Sequence, residues 1–181
     1  WVEYFKDQAD IKNKELIGEL DKDIKKLQVI TERFSNIGST PVLSEELVEP
    51  LITSIIEYLR PRISPKVEIT IASLTPDITA QVNPPLFEWV VENLCKNAVD
   101  AMSGSGKIHI FILKGSESRV FIDISDTGKG IPKSKLKQVF NAGFTTKKRG
   151  WGLGLTLAKR IIEIYHEGKI MVKSSEEDVG T

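Results

Sequence analysis

The 181-residue sequence holds one cysteine, two histidines and no long apolar run, and each scarcity removes a class of protein. The lone Cys95 excludes a disulfide framework and a thiolate metal site, which leaves an intracellular, reducing setting as the default. A free cysteine in such a setting is ordinarily a small core residue. No stretch approaches the roughly 18 apolar residues of a membrane span, and the first ten residues lack the basic start and apolar centre of a signal peptide. The segment is therefore read as cytoplasmic, with no direct membrane contact of its own, from a parent that can still be anchored. Excess charge is missing too: 25 Lys and Arg balance 25 Asp and Glu, so no bulk field points to nucleic acid or to an anionic membrane.

What is present divides at a turn. Over residues 11–37, Ile17, Leu20, Ile24, Leu27 and Phe34, with Thr31 between, step by three and four. This coiled-coil seam needs a facing helix, from another chain or a missing segment. NIGSTP then places Gly38 and Pro41 in the order that ends a helix, and the domain hinge is put there, with residues 1–38 before it and 39–181 after. A shorter helix follows with Leu51, Ile55 and Leu59 on one side; Pro50 suits its first turn but would kink a helix begun at Ser44.

KVEITIAS and ITAQV alternate as strands, with Val67, Ile69 and Ile71 facing inward. Asn83 and Pro84 are placed to cap and start the next helix. KIHIFIL and SRVFIDIS read as a hairpin pair around Gly115, and GKIMVKSS as one more strand. Helices and strands are mixed, with the sheet expected mostly from hairpins, so the fold class is α+β and not doubly wound.

The helix ENLCKNAVDAM sets Asn93, Lys96, Asn97 and Asp100 within one arc, with Val90, Leu94, Ala98 and Ala101 on the other side. A solvated face explains the size of the polar arc but not its content, because Asn competes with its own backbone in mid-helix. Two glycine motifs are false leads. GSGK has Ala101 where a P-loop needs its first Gly, has Ile108 where it needs Ser or Thr, and leads into a strand. Gly128 and Gly130 lack the third glycine and the spacing of a dinucleotide fingerprint.

The informative feature is an ordered set: Asn93 and Asn97 on a helix, then DTGKGIP, then FNAGFTTKK, then GWGLGL opening a helix. Over residues 45–181 this resembles the ATP-binding catalytic domain of sensor histidine kinases, within the superfamily that includes gyrase B and MutL ATPase domains. The resemblance implies a layered α/β sandwich of the Bergerat type, a mixed, mostly antiparallel sheet with helices on one face, preceded by a long helix. It also implies ATP and Mg²⁺ as cofactors, a homodimeric parent, and a response regulator as partner. The family continues into a final strand, so the C-terminal strand is expected to be truncated here.

The chemistry of the parts is intelligible from the residues. The amide oxygen of Asn97 is a hard, neutral ligand suited to Mg²⁺ already chelated by phosphates, and the resemblance gives Asn97 that role; Asn93, one turn earlier, can support the ion or its water. Lys96 can neutralise phosphate charge or simply be an exposed helix lysine. Asp126 resembles the acceptor of the adenine amino group, and Gly128 and Gly130 allow close backbone approach to the base. FTTKKRGWGLGL resembles the nucleotide lid. Phe144 anchors one end, Lys147, Lys148 or Arg149 reach phosphates, and Gly150, Gly152 and Gly154 permit closure. Asp100, Ile131, Thr145, Thr146, Leu153 and Leu155 complete the implied nucleotide contacts.

Two departures stand out. Trp151 replaces the small polar residue usual at its place. The phosphoacceptor histidine of the family, on a helix upstream of the seam, is absent: the chain holds only His109, in a strand, and His166, at a helix end, both read as structural. The expected function is transfer of the γ-phosphoryl group of Mg-ATP to a histidine outside this chain, for relay to a response-regulator aspartate. The alternatives are an ATP-hydrolysing clamp of the same superfamily and a pseudokinase nucleotide-binding scaffold. The clamps place a glutamate base four residues before the metal-binding Asn, where this chain has Asn93.

Overall fold

A computed structural model describes residues 41–116, 119–147 and 152–181, and Val42–Thr181 form one compact unit. The seam expected at residues 17–34, Gly38 of the hinge, and Lys148, Arg149, Gly150 and Trp151 lie outside the described residues.

A short strand β1 (Ser44–Leu47) leads directly into helix α1 (Val48–Leu59). Starting at Val48 puts Pro50 in the first turn, where a backbone N–H has no intrahelical partner to lose. Val48, Ile52, Ile55, Ile56 and Leu59 form the buried face of α1. Strands β2 (Val67–Ser73) and β3 (Thr79–Val82) follow, then helix α2 (Pro84–Ala101), strands β4 (Gly106–Lys114) and β5 (Val120–Asp126), and helix α3 (Gly154–Arg160), which continues as a π-helical turn, Ile161–Tyr165. Asn83 caps α2 as expected, its side chain accepting the Leu86 N–H at 3.2 Å. No helix among the described residues is long and apolar enough to cross a membrane.

The strands make two sheets, β1–β3 and β2–β4–β5. Pairing is antiparallel between β1 and β3 and between β4 and β5, and parallel between β2 and β4. Among the described residues only β4–β5 is a hairpin, so the expectation of a sheet built mostly from hairpins is corrected. The chain reaches β4 from β2 through β3 and α2, a crossover long enough to bring it back parallel.

GKIMVKSS, expected as a strand, enters no ladder. Its side chains dock instead: Lys173 pairs with Asp123 at 2.5 Å, and Ser175 Oγ accepts the Ile131 N–H at 2.7 Å. The place beside Asp126 is taken by Thr181, which exchanges two backbone hydrogen bonds with it, at 2.8 and 3.3 Å.

One face of the three-stranded sheet is apolar. Val67, Ile69, Ile108, Ile110 and Ile112 pack with α1 and with Phe87, Val91, Cys95 and Ala98 of α2. Cys95 is fully buried, and desolvation pushes its thiol up to about 12, so it stays protonated and inert, as expected of a core cysteine. The other face is mixed: Lys107 pairs with Glu68 at 3.2 Å and His109 Nδ1 with Thr70 Oγ1 at 2.6 Å, while Phe111, Leu113 and the exposed Phe121 lie further along the same face. His109 is thus a surface residue of the sheet.

His166 is structural in a different way. Its Nε2 accepts the backbone N–H of Asn83 at 3.0 Å, which requires that nitrogen to be unprotonated; Nδ1 then carries the proton and donates to the Ile161 carbonyl at 2.9 Å. The ring ties the end of the α3 segment to the start of α2. His166→Ala should leave the Asn83 N–H without its acceptor and lower unfolding free energy by about 1–2 kcal/mol, read from urea denaturation. An unchanged midpoint and slope would remove the clamp from the account.

Candidate functional site

Three successive turns of α2 receive three different segments. At the first, Asn93 faces α3 so closely that a Cβ on Gly154 would overlap its side-chain amide. The Asn93 Nδ2 is buried and without a protein partner, a donor aimed at no acceptor, which is costly unless something else supplies an oxygen. At the second turn, Asn97 Oδ1 accepts a hydrogen bond from Lys147 Nζ at 2.7 Å, and the same ammonium pairs with Asp100 Oδ2 at 2.5 Å. At the third, the Ala101 carbonyl accepts the Lys129 N–H at 3.1 Å, and Gly128 packs on the Ala101 methyl. Ala101 was expected on the core side. It holds the Asp126 loop instead, because i, i+4 and i+8 form one nearly straight row along a helix.

Asp126 ends β5 half-buried. Its Oδ1 accepts the Gly128 N–H at 2.8 Å, a turn that aspartate makes with its own backbone. Burial raises its carboxyl pKa above the usual range, opposed by the backbone N–H groups of Gly128 and Thr181. At 128 and 130 the space that a Cβ would take is filled from within the protein. Gly128 lies on Ala101, and Gly130, at φ +66°, faces the carbonyl of Glu176. Ile131 is held by its backbone to Ser175.

The lid segment is pinned where it begins and ends. Gly152 adopts φ +66° with the backbone of Gly143 and Phe144 where its Cβ would be, and the Gly143 N–H donates to the Gly152 carbonyl at 3.2 Å. Only glycine satisfies both the left-handed backbone and that contact. Phe144 is half-buried, Thr146 is exposed, and Thr145 Oγ1 accepts the Lys147 N–H at 3.1 Å. Leu153 and Leu155, both half-buried, flank Gly154 at the start of α3. Lys96 is not gathered with the others: it pairs with Glu92, one turn back, at 2.5 Å.

These geometries bring together, around one face of α2, segments that lie up to about sixty residues apart in the chain. The profile of the Histidine kinase-, DNA gyrase B-, and HSP90-like ATPase family matches residues 81–181. The chain belongs to this family. Sporulation kinase E of Bacillus subtilis is 29% identical over 168 residues, 90% of this chain and 22% of that protein. The catalytic domain of histidine kinase ThkA, solved in a nucleotide-free form, superposes with a TM-score of 0.68 at 27% identity, over 76% of this chain and 90% of that one. Full-length ShkA, solved in complex with AMPPNP, shares the fold with a TM-score of 0.77 over 95% of this chain and 38% of its own, at 22% identity. The chain is a sensor histidine kinase catalytic domain in fold and sequence, and it spans about a fifth of the length of sporulation kinase E.

The catalytic domain has an electrostatic feature that the charge total conceals. From Thr127 to Ile162 there is no Asp or Glu, while Lys129, Lys133, Lys135, Lys137, Lys147, Lys148, Arg149, Lys159 and Arg160 all fall there. A windowed charge count would have found this stretch, whereas the whole-chain balance hides it. The positive segment contains both the end of the Asp126 loop and the lid, so it favours an anionic ligand at this site.

The raised pKa of Asp126 has a measurable sign. Ionising this carboxyl costs more in the folded than in the unfolded chain, so its penalty on stability is absent below the ordinary carboxylate range and complete above the raised value. Asp126→Asn keeps an amide oxygen for Gly128. The variant should melt above wild type at neutral pH, with the difference shrinking as pH falls through and below the ordinary carboxylate range. A Tm difference that does not vary with pH would contradict this assignment of the strain.

Proposed function

We propose that this domain binds Mg-ATP along α2 and, in a dimeric cytoplasmic parent, transfers the γ-phosphoryl group to a histidine on another segment, from which a response-regulator aspartate receives it. The observation that carries the reading is the ammonium of Lys147 on Asn97 Oδ1 and Asp100. A cation already sits on the amide oxygen that the family motif assigns to the metal, so the donor set fits a positive ion. The orphaned Asn93 Nδ2 suits a phosphate oxygen, and Asp126, at the end of β5, would accept from the adenine amino group. ShkA with AMPPNP and ThkA with the response regulator protein TrrA are complexes of related folds and support the same ligand and partner classes here.

Magnesium bound by Asn97 would neutralise phosphate charge and orient the γ-phosphoryl group. The chain's own residues would do the positioning: Asp126 sets the base, Asn93 holds a phosphate oxygen, and the positive segment draws in the polyphosphate. Phosphoryl transfer asks for little more than position and charge stabilisation. Hydrolysis is the weaker reading, because the residue four before Asn97 is Asn93, which cannot act as a base, and the neighbouring Glu92 is engaged by Lys96.

Asn97→Ala should reduce affinity for a non-hydrolysable ATP analogue at least about tenfold in the presence of Mg²⁺ and much less in its absence, by calorimetry. Equal losses under both conditions would refute the metal role. For the transfer step, this chain with Mg²⁺ and γ-labelled ATP should label a longer parent carrying Asn97→Ala and the upstream helix. The label should be lost in acid and survive alkali, as phosphohistidine does; acid-stable label would point to another acceptor.

A further inference from the structure

Lys147 was expected to reach phosphates, yet its ammonium is held on α2, bonded to the Asn97 amide oxygen at 2.7 Å and to the Asp100 carboxylate at 2.5 Å. Asn97 Oδ1 is the atom that the proposed function gives to Mg²⁺, so one oxygen has two cationic claimants. We propose that Lys147 is the built-in counter-cation of the Asn97–Asp100 pair and competes with the divalent ion for Asn97 Oδ1. This rests on the reading of Asn97 as the metal ligand.

The physical case has three parts. An ammonium and a divalent ion cannot both lie against one amide oxygen without strong mutual repulsion, since neither is buried away from the other's field. Asp100, four residues before Gly104 and three after Asn97, gives the ammonium a full negative charge that Asn97 lacks, so Asp100 sets how firmly Lys147 is held. The bond is also made by a residue of the segment pinned at Gly143 and Gly152, which leaves Lys147 tethered near α2 when it is displaced.

Two consequences follow. A divalent ion arriving alone must displace a tethered competitor, and its apparent affinity is reduced by the fraction of chains in which Lys147 holds the site. An ion arriving with a polyphosphate meets a different balance, because the displaced ammonium can transfer its charge to phosphate oxygens. Lys147 would thus discriminate against the bare ion and favour the metal–nucleotide pair. Its side chain and that of Asp100 are 40% and 57% exposed, so the suppression should be of the size measured for exposed pairs, about 1.5- to fivefold.

The test is Mn²⁺ binding without nucleotide, followed by electron paramagnetic resonance, in the 181-residue chain and its Lys147→Met variant. Lys147 lies on the surface, so the variant should keep wild-type circular dichroism. The expected result is Mn²⁺ bound about 1.5- to fivefold more tightly by Lys147→Met. In wild type, the Lys147 ammonium resonance, observed by nitrogen-15 NMR, should show slow proton exchange, and Mg²⁺ or Asp100→Asn should abolish that protection. Mn²⁺ affinity that is unchanged or weaker in the variant, with Mg-dependent nucleotide binding present in the wild-type chain, overturns the competition and leaves the nucleotide site standing. Failure of both proteins to bind Mn²⁺ or Mg-nucleotide removes the metal reading, and the inference falls with it.

Discussion

Everything at the candidate site depends on how α2 packs. Its apolar face, with Phe87, Val91, Cys95 and Ala98, is buried against the three-stranded sheet and α1, and this fixes the helix in rotation as well as position. With the core face committed, Asn93, Asn97 and Ala101 are presented as a row, and three segments dock on it in order: α3 through Gly154, the lid through Lys147, and the Asp126 loop through Gly128 and Lys129. A rotation of α2 by one residue would move the whole row about 100° away from these contacts. The glycines matter chiefly because they let backbone come this close to helix side chains.

The site is also electrostatically unfinished. Among the described residues no group of three or more His, Cys, Asp and Glu is placed to hold a metal ion, so the protein offers an ion little beyond an amide oxygen and one exposed carboxylate. Such a set binds a bare divalent ion weakly and leaves most of the coordination to phosphates and water. The sequence also carries a run of 36 residues without an acid, counted from Thr127 to Ile162. The half-buried Asp126 carboxyl, the orphaned Asn93 nitrogen and the concentrated positive charge each cost stability in the protein alone, and each is a feature that a nucleotide's amino group, phosphate oxygens and negative charge would relieve.

Much of this was legible before any coordinates. Alternation located β2, β3, β4 and β5, because each strand has one face on the core and one in water. Asn83 and Pro84 located the start of α2, and Cys95 was legible as core. The strand expected from GKIMVKSS was not found, because alternation reports a two-faced environment and says nothing of whether the backbone meets a partner edge; here the segment is tied by side chains, Lys173 to Asp123 and Ser175 to Ile131. The hairpin expectation failed similarly: local pattern gave the strands, but the parallel partnership of β2 with β4 is a choice between edges far apart in sequence.

The sequence by itself therefore determined most of the elements, β2 to β5, the start of α2 and the core position of Cys95 among them, and the ordered motifs that mark a histidine kinase catalytic domain, since all of these depend on periodicity and on residue types within a few turns of one another. Only the tertiary structure decided which atoms meet. It put Lys147 on Asn97 and Asp100, filled the space at Gly128 and Gly130 with the protein's own backbone and methyl groups, and gave His166 one tautomer between α2 and α3. Those pairings join residues as many as 83 positions apart, and a contact at that separation is fixed by how the packed layers align, which no local pattern encodes.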